Sequence, residues 1–258
     1  MVNEVPGVLA CDVGNSAVHF AQVKGDEVGA VQAVRVGELA QLGQRLLELW
    51  QQVSPPRKLV ASSVNPAALK ALEAAAAEAL GEDVLVIPRD LPVPIQTDLR
   101  DPQSVGVDRL CAAVAAYDRL GTACVVADFG TAITVDCVSD EGVFLGGAIL
   151  PGLSMSADCL HERTAQLPRV APAQPEGVFG RDTREAILAG ILAAARGALR
   201  ELVEAYATAL GRWPLVIATG GDAELVCRHC ADDDLVQAIV PDLAIRGVAM
   251  AYYKTLLT

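Results

Sequence analysis

Apolar positions fall into two clearly different spacings along the chain. From Val8 to Ala21 the sequence reads Val-Leu-Ala-Cys-Asp-Val-Gly-Asn-Ser-Ala-Val-His-Phe-Ala, and from Val125 to Asp136 it reads Val-Val-Ala-Asp-Phe-Gly-Thr-Ala-Ile-Thr-Val-Asp. Each stretch is a short apolar run, an Asp (Asp12, Asp128), one apolar residue, a Gly (Gly14, Gly130), a small polar residue and a second apolar run. The pattern predicts a strand-turn-strand unit written twice. Either copy alone reads most simply as a β-hairpin with glycine at its turn. The duplication shifts the balance towards a functional unit.

Between and after these hairpins the period changes. Residues 28–36 continue the strand pattern past Gly25-Asp26, which predicts a β-meander. Leu39, Leu42, Leu46, Leu47 and Trp50 stand at helical spacing within 37–53. Residues 58–64 read as a buried strand, and Asn65-Pro66 as the N-cap and first position of an alanine-rich helix ending at Leu80. A short strand at 84–87 and a proline-containing loop at 88–102 lead to Val105-Gly106-Val107-Asp108-Arg109 and a helix over 110–120. Asp108 and Arg109 are therefore expected at or just inside a helix N-terminus, where the macrodipole favours a carboxylate. The second half repeats the order: hairpin 124–138, strand 142–149, a helix after Pro151-Gly152, a long helix over 181–211, and a strand 215–218 ending in Thr219-Gly220-Gly221-Asp222-Ala223. A helix over 242–256 follows. The repeat implies two α/β domains, 1–117 and 118–258.

Composition narrows the class. A chain of 258 residues accommodates two such domains, and 52% apolar with 4% aromatic residues predicts aliphatic, alanine-rich cores. A net charge of −12 and no basic stretch argue against a nucleic-acid partner, which needs a basic face to displace counterions. No run approaches the ~18 apolar residues of a membrane span, and the segment before Cys11 has no basic leader, so the expected location is cytoplasmic. Seven cysteines, mostly within apolar runs, fit small buried hydrophobes better than a paired disulfide framework.

The chemistry expected of the hairpins lies in their turns. Glycine lets backbone come close to a bulky anion, and Asn15-Ser16 or Thr131 offers donors to phosphate oxygens. The preceding Asp cannot bind phosphate directly, so its expected work is to hold a cation or a metal-bound water. A strand ending in Gly220-Gly221 likewise leaves room for a ligand on the backbone.

Asp12-Val13-Gly14-Asn15-Ser16, Gly106-Val107-Asp108-Arg109, Asp128-Phe129-Gly130-Thr131-Ala132, the Gly146 to Gly152 stretch and Thr219-Gly220-Gly221-Asp222-Ala223 together resemble a type III pantothenate kinase, of the actin, sugar-kinase and Hsp70 superfamily. The resemblance implies two ribonuclease-H-like domains with a nucleotide cleft between them, ATP and Mg²⁺ with a monovalent cation (K⁺ or NH₄⁺), pantothenate as substrate, and a homodimer that completes each site. It assigns Asp108 as general base and Gly106, Val107, Arg109 and Thr183 to the substrate. It assigns Asp12, Val13, Gly14, Asn15, Ser16, Ala17, Val18 and His19 to the phosphate loop, with Asp12 placing Mg²⁺. Asp128 falls at the monovalent-cation position, Thr131 at a second phosphate contact, and Gly220 and Gly221 face the adenosine.

The sequence also departs from that family. Leu99 stands at a tyrosine position, Asp101-Pro102 replaces an Asn-Pro pair, Ala112 replaces a common Asn and Ile133 a threonine. These keep open a related phosphotransferase or phosphohydrolase with another acceptor, and, from a different class, a non-catalytic nucleotide-binding regulator. Cys227-Arg228-His229-Cys230 has Cys-x-x-Cys spacing but no second ligand pair near in sequence, so a helix-face coincidence is the expectation. Asp232-Asp233-Asp234 reads as a solvated turn.

Overall fold

The protein is described here by a computed structural model covering residues 5–228 and 235–256. Cys230 and Asp232-Asp233-Asp234 lie outside the described residues. The chain forms two compact units: residues 1–96, 100–119 and 242–258, and residues 97–99 and 120–241.

The first unit begins with the expected hairpin, β1 (Gly7–Val13) and β2 (Ala17–Lys24), paired antiparallel from Val8↔Val23 to Val13↔Val18. The meander strand is split into β3 (Glu27–Val28) and β4 (Gln32–Arg35), both paired with β2. Gly29 donates its amide to the Gln22 carbonyl (2.8 Å), and the chain leaves the ladder there. A 3₁₀ segment at Val36–Gln41, kinked at Glu38, occupies the start of the expected first helix, so α1 is only Leu42–Trp50. Then come β5 (Arg57–Ser63), α2 (Pro66–Leu80) and β6 (Val84–Ile87). The α2 N-cap is the one the sequence predicts, Asn65 accepting from the Ala68 amide (3.1 Å), and at the other end Gly81 closes the helix at φ +67°.

The second unit's sheet takes in β7 (Gln96–Thr97), a two-residue strand inside the loop expected over 88–102. It continues, after α3 (Val107–Leu120) of the first unit, with β8 (Cys124–Phe129), β9 (Ala132–Val138), β10 (Val143–Pro151), α4 (Leu153–Arg163) and α5 (Thr183–Leu210). It closes with β11 (Leu215–Thr219), α6 (Ala223–Cys227) and β12 (Ala238–Ile239). The chain then re-enters the first unit as α7 (Leu243–Thr255).

Both sheets share one topology. The first runs β3-β2-β1-β5-β6 and the second β10-β9-β8-β11-β12 with β7 added outside β10. In each, three antiparallel strands are followed by strands parallel to the first. The repeat read in the hairpins therefore extends to the strand order.

Alternation along β1 sends side chains to two cores. Leu9, Cys11 and Val13 pack with Leu42, Leu46 and Trp50 of α1 and Leu72 of α2, while Val8 and Ala10 pack with Val107 and Cys111 of α3 and Ile245, Val248 and Ala249 of α7. The single cut at 117/118 thus differs from the observed division. The last helix carries the apolar surface that covers the second face of the first sheet. In the second unit, Val125, Ala127 and Phe129 of β8 pack with Leu188 and Leu192 of α5.

Candidate active site

In the first unit the carboxylates collect at one end of the sheet. Asp12, near the end of β1, pairs in register with His19 of β2 and Ser62 of β5. By the same alternation Asp12 shares the sheet face of Ala10, the one covered by α3 and α7. Ser62, fully buried, donates its hydroxyl to Asp12 Oδ1 at 2.7 Å. Burial raises the Asp12 carboxyl to about 6, with the nearby Asp108 charge adding to the rise and the Ser62 bond opposing it. His19 is held below its ordinary value by burial, so its ring favours the neutral form.

The turn after Asp12 is braced from three sides. Gly14 donates to the Ala17 carbonyl (3.0 Å), Val36 donates to the Ser16 carbonyl (2.9 Å), and Asn65 Nδ2 reaches the Gly14 carbonyl (3.4 Å). Asn15 and Ser16 are exposed at its tip. A Cβ on Gly14 would find one neighbour within 4 Å, the Ala17 carbonyl at 3.3 Å. Glycine there leaves open space above the backbone, as an approaching anion requires.

Asp108 sits in the first turn of α3, and Oδ1 accepts the Arg109 amide at 2.8 Å. Burial raises this carboxyl too, against the opposing pull of the Arg109 amide and guanidinium. Gly106 is tightly specified: a Cβ would land on Asp108 Oδ1 and lie 3.4 Å from Val64 Cγ1. A larger residue would push the carboxylate aside. Asp12, Ser62, Gly106, Asp108 and Arg109 are thus gathered within one unit, two carboxylates close enough to sense each other. Such a pair suits a divalent cation shared with phosphate oxygens, because Mg²⁺ takes one or two carboxylates and leaves its other positions to waters and substrate. Among the described residues, no group of three or more His, Cys, Asp or Glu is arranged to hold a metal by protein ligands alone.

The second unit has its own version. Asp128 lies at the end of β8 opposite Thr134 and Thr219, and the Gly130 amide closes the turn on the Ala132 carbonyl (3.2 Å). Gly152 donates to the Thr131 carbonyl (3.2 Å). Gly220, at φ +91°, lies against Asp128: a Cβ there would strike Oδ1 and the Phe129 carbonyl. Gly221 has no atom within 4 Å of a Cβ and leaves backbone open beside it. The Asp222 amide donates to the Phe129 carbonyl (3.0 Å), and burial raises its carboxyl. Asp128 beside glycine backbone is a hard oxygen donor with room for carbonyls to approach, a set that fits a cation.

Thr183 is the exposed first residue of α5, with Asp182 as N-cap accepting the Glu185 amide at 2.8 Å. Just before it, Val178 and Phe179 are 89% and 79% exposed. Of the departures noted in the sequence, Ala112 is buried within α3 and Ile133 packs in the second unit's core. Leu99 Cδ2 lies 3.2 Å from the Cβ position of Gly146, whose φ is +105°. Cys227 is buried among core residues. Ser62 and the turn-bracing role of Asn65 were not legible in the sequence, since both depend on strand register.

Residues 8–205 match the sequence profile described as type III pantothenate kinase. A protein named type III pantothenate kinase from Rhizorhabdus wittichii is 37% identical over 256 residues, covering 95% of this chain and 97% of that protein. One of the same name from Legionella pneumophila is 34% identical over 253 residues, covering 95% and 97%. Among solved structures, (R)-2-hydroxyglutaryl-CoA dehydratase component A from Acidaminococcus fermentans aligns over 98% of this chain and 100% of its own, with a TM-score of 0.54 and 16% identity. The PilM-PilN type IV pilus biogenesis complex aligns over 97% and 98%, with a TM-score of 0.53 and 12% identity. These two likenesses concern the fold alone.

Proposed function

Since the chain belongs to the type III pantothenate kinase family, we propose that Asp108 is the general base of an ATP-dependent phosphorylation of pantothenate. The protein is a pantothenate kinase, moving the γ-phosphoryl of ATP to the primary hydroxyl of pantothenate to give 4′-phosphopantothenate, on the route to coenzyme A. The observation that carries the residue assignment is the half-buried pair of Asp12, near the end of β1, and Asp108, in the first turn of the helix that covers that face of the sheet. Burial keeps the Asp108 carboxyl more basic than a solvated one, which suits a group that accepts a hydroxyl proton as phosphorus is attacked.

In the first unit, Asp12 would hold Mg²⁺, and the backbone and side chains from Val13 through His19 would bind phosphate, with Gly14, Asn15 and Ser16 at the turn. Gly106, Val107 and Arg109 would orient pantothenate, Arg109 answering charge on the substrate or the transferring group. In the second unit, Thr131 would take a phosphate contact, Gly220 and Gly221 the adenosine, and Asp128 a monovalent cation, K⁺ or NH₄⁺. Bound Mg²⁺ would supply neutralisation of the nucleotide's phosphate charge. Thr183 would reach the pantothenate of a second copy in a homodimer, a reading supported by the exposed Val178 and Phe179 beside it. We also place the enzyme in the cytoplasm: among the described residues no helix is long and apolar enough to cross a membrane.

The test is ADP release from purified protein with Mg-ATP and K⁺, with and without pantothenate, alongside Asp108→Asn. Turnover that requires pantothenate and falls about 10²–10⁴-fold in the variant is expected. Pantothenate-dependent turnover undiminished in Asp108→Asn would remove Asp108 from the role of base.

A further inference from the structure

The end of β5 carries a polar residue where the strand is otherwise apolar. Leu59, Val60 and Ala61 are buried hydrophobes, and Ser62 after them is fully buried as well. A hydroxyl in that position gains nothing from packing and must be satisfied. The parallel ladder sets it beside Asp12 (Asp12↔Ser62, with Cys11↔Ala61 before it), and alternation puts both side chains on the face covered by α3 and α7. At 2.7 Å from Ser62 Oγ to Asp12 Oδ1, the hydroxyl makes a well-formed hydrogen bond to the carboxyl oxygen.

We propose that Ser62 is a positioning residue of the phosphoryl-transfer site: its hydroxyl fixes Oδ1 of Asp12, so that the remaining lone pairs are presented to the metal that accompanies the nucleotide. A lone Asp on a strand end rotates about χ2 with little preference. With Oδ1 held by a buried donor on the neighbouring strand, the carboxylate plane is fixed before any ligand arrives. Groups that orient metal-binding side chains in this way typically control metal affinity by about 10–100-fold. The inference rests on the reading of Asp12 as the metal-placing residue.

The experiment measures Mn²⁺·ATP binding by water-proton relaxation in the absence of pantothenate, on the parent, Ser62→Ala, Ser62→Thr, Asp12→Asn and the Ser62→Ala/Asp12→Asn double variant. Kinetics and thermal unfolding are followed in parallel. Ser62→Ala is expected to weaken Mn²⁺·ATP binding about 10–100-fold, to leave the KM for pantothenate unchanged and to unfold cooperatively. Ser62→Thr, which keeps the hydroxyl, is expected to restore binding. In the Asp12→Asn background the serine change should have little further effect, because the charged carboxylate it orients is gone. Parent-like Mn²⁺·ATP binding in Ser62→Ala, beside a loss in Asp12→Asn, would overturn the positioning role and leave the reading of Asp12 standing. Undiminished binding in Asp12→Asn would remove that reading and the inference with it. Equal losses for Mn²⁺·ATP and pantothenate in Ser62→Ala would mark a general packing defect and also overturn it.

Discussion

At the scale of single residues the site is held in tension by its own charges. Asp12 has an ordinary carboxyl value of 3.8 when unfolded and about 6 in place, so the folded protein holds this proton more tightly than the unfolded chain. Between these two values stability falls as pH rises, and above about 6 the folded state carries the whole cost of the buried charge. Asp12→Asn, free of metal and nucleotide, is therefore expected to melt higher than the parent at pH 7.5, by roughly 2–4 °C for each kcal/mol relieved. The gap should close as pH is lowered below about 4, where the parent carboxyl is protonated in both states. Calorimetric scans of both proteins across pH 4–8 check this, and a parent that melts higher at every pH would contradict it. Asp12 and Asp108 could be picked out from the sequence because an acid beside glycine or at a helix start has a distinctive local pattern. Ser62 could not: one serine in Ser62-Ser63 looks like any strand end until the neighbouring strand is aligned with it.

At the scale of elements, the helix that presents Asp108 is fixed by a close approach between helices. A Cβ on Gly247 of α7 would collide with the backbone of Cys111 in α3, and the carbonyl of that residue is the nearest atom. Gly247→Ala must push α7 and α3 apart, at a cost of roughly 1–3 kcal/mol for an overpacked contact. The expected outcome is a lower denaturation midpoint with a reduced kcat, since α3 carries Asp108, the proposed base, in its first turn. Chemical denaturation and steady-state kinetics on one preparation separate the two effects, and an unchanged midpoint would show that the helices yield freely. Elements with strong local signals were readable, as α2 shows with Asn65 and Pro66 at its start. The 3₁₀ turn at Val36–Gln41 was hidden under a helical apolar spacing, because hydrophobic period does not distinguish a tight turn from the start of an α-helix. β7 and β12, two residues each, are too short to show any period.

At the scale of the whole molecule, the proposed homodimer makes a concrete demand on the segment before α5. If Phe179 and Val178 are covered by a second copy, Phe179→Ser should weaken self-association by about 30-fold or more, as loss of an anchor worth about 2 kcal/mol implies. Sedimentation equilibrium reads the association, and a rise in the KM for pantothenate should accompany it through Thr183. An unchanged dimer would place the interface elsewhere. The two-unit plan was visible in the repeated hairpin, but the ownership of α7 was not, because sequence order puts it after the second copy. That ownership governs the order of assembly. While the ribosome is still making the second unit, the first sheet has α1, α2 and α3 available but lacks the helix carrying Ile245, Val248 and Ala249. The unit that holds Asp12 and Asp108 is thus begun first and finished last. A nascent chain stalled within the second unit has only part of the apolar cover of that sheet face and presents the rest to chaperones, and the unit proposed to hold the base is completed only when α7 arrives.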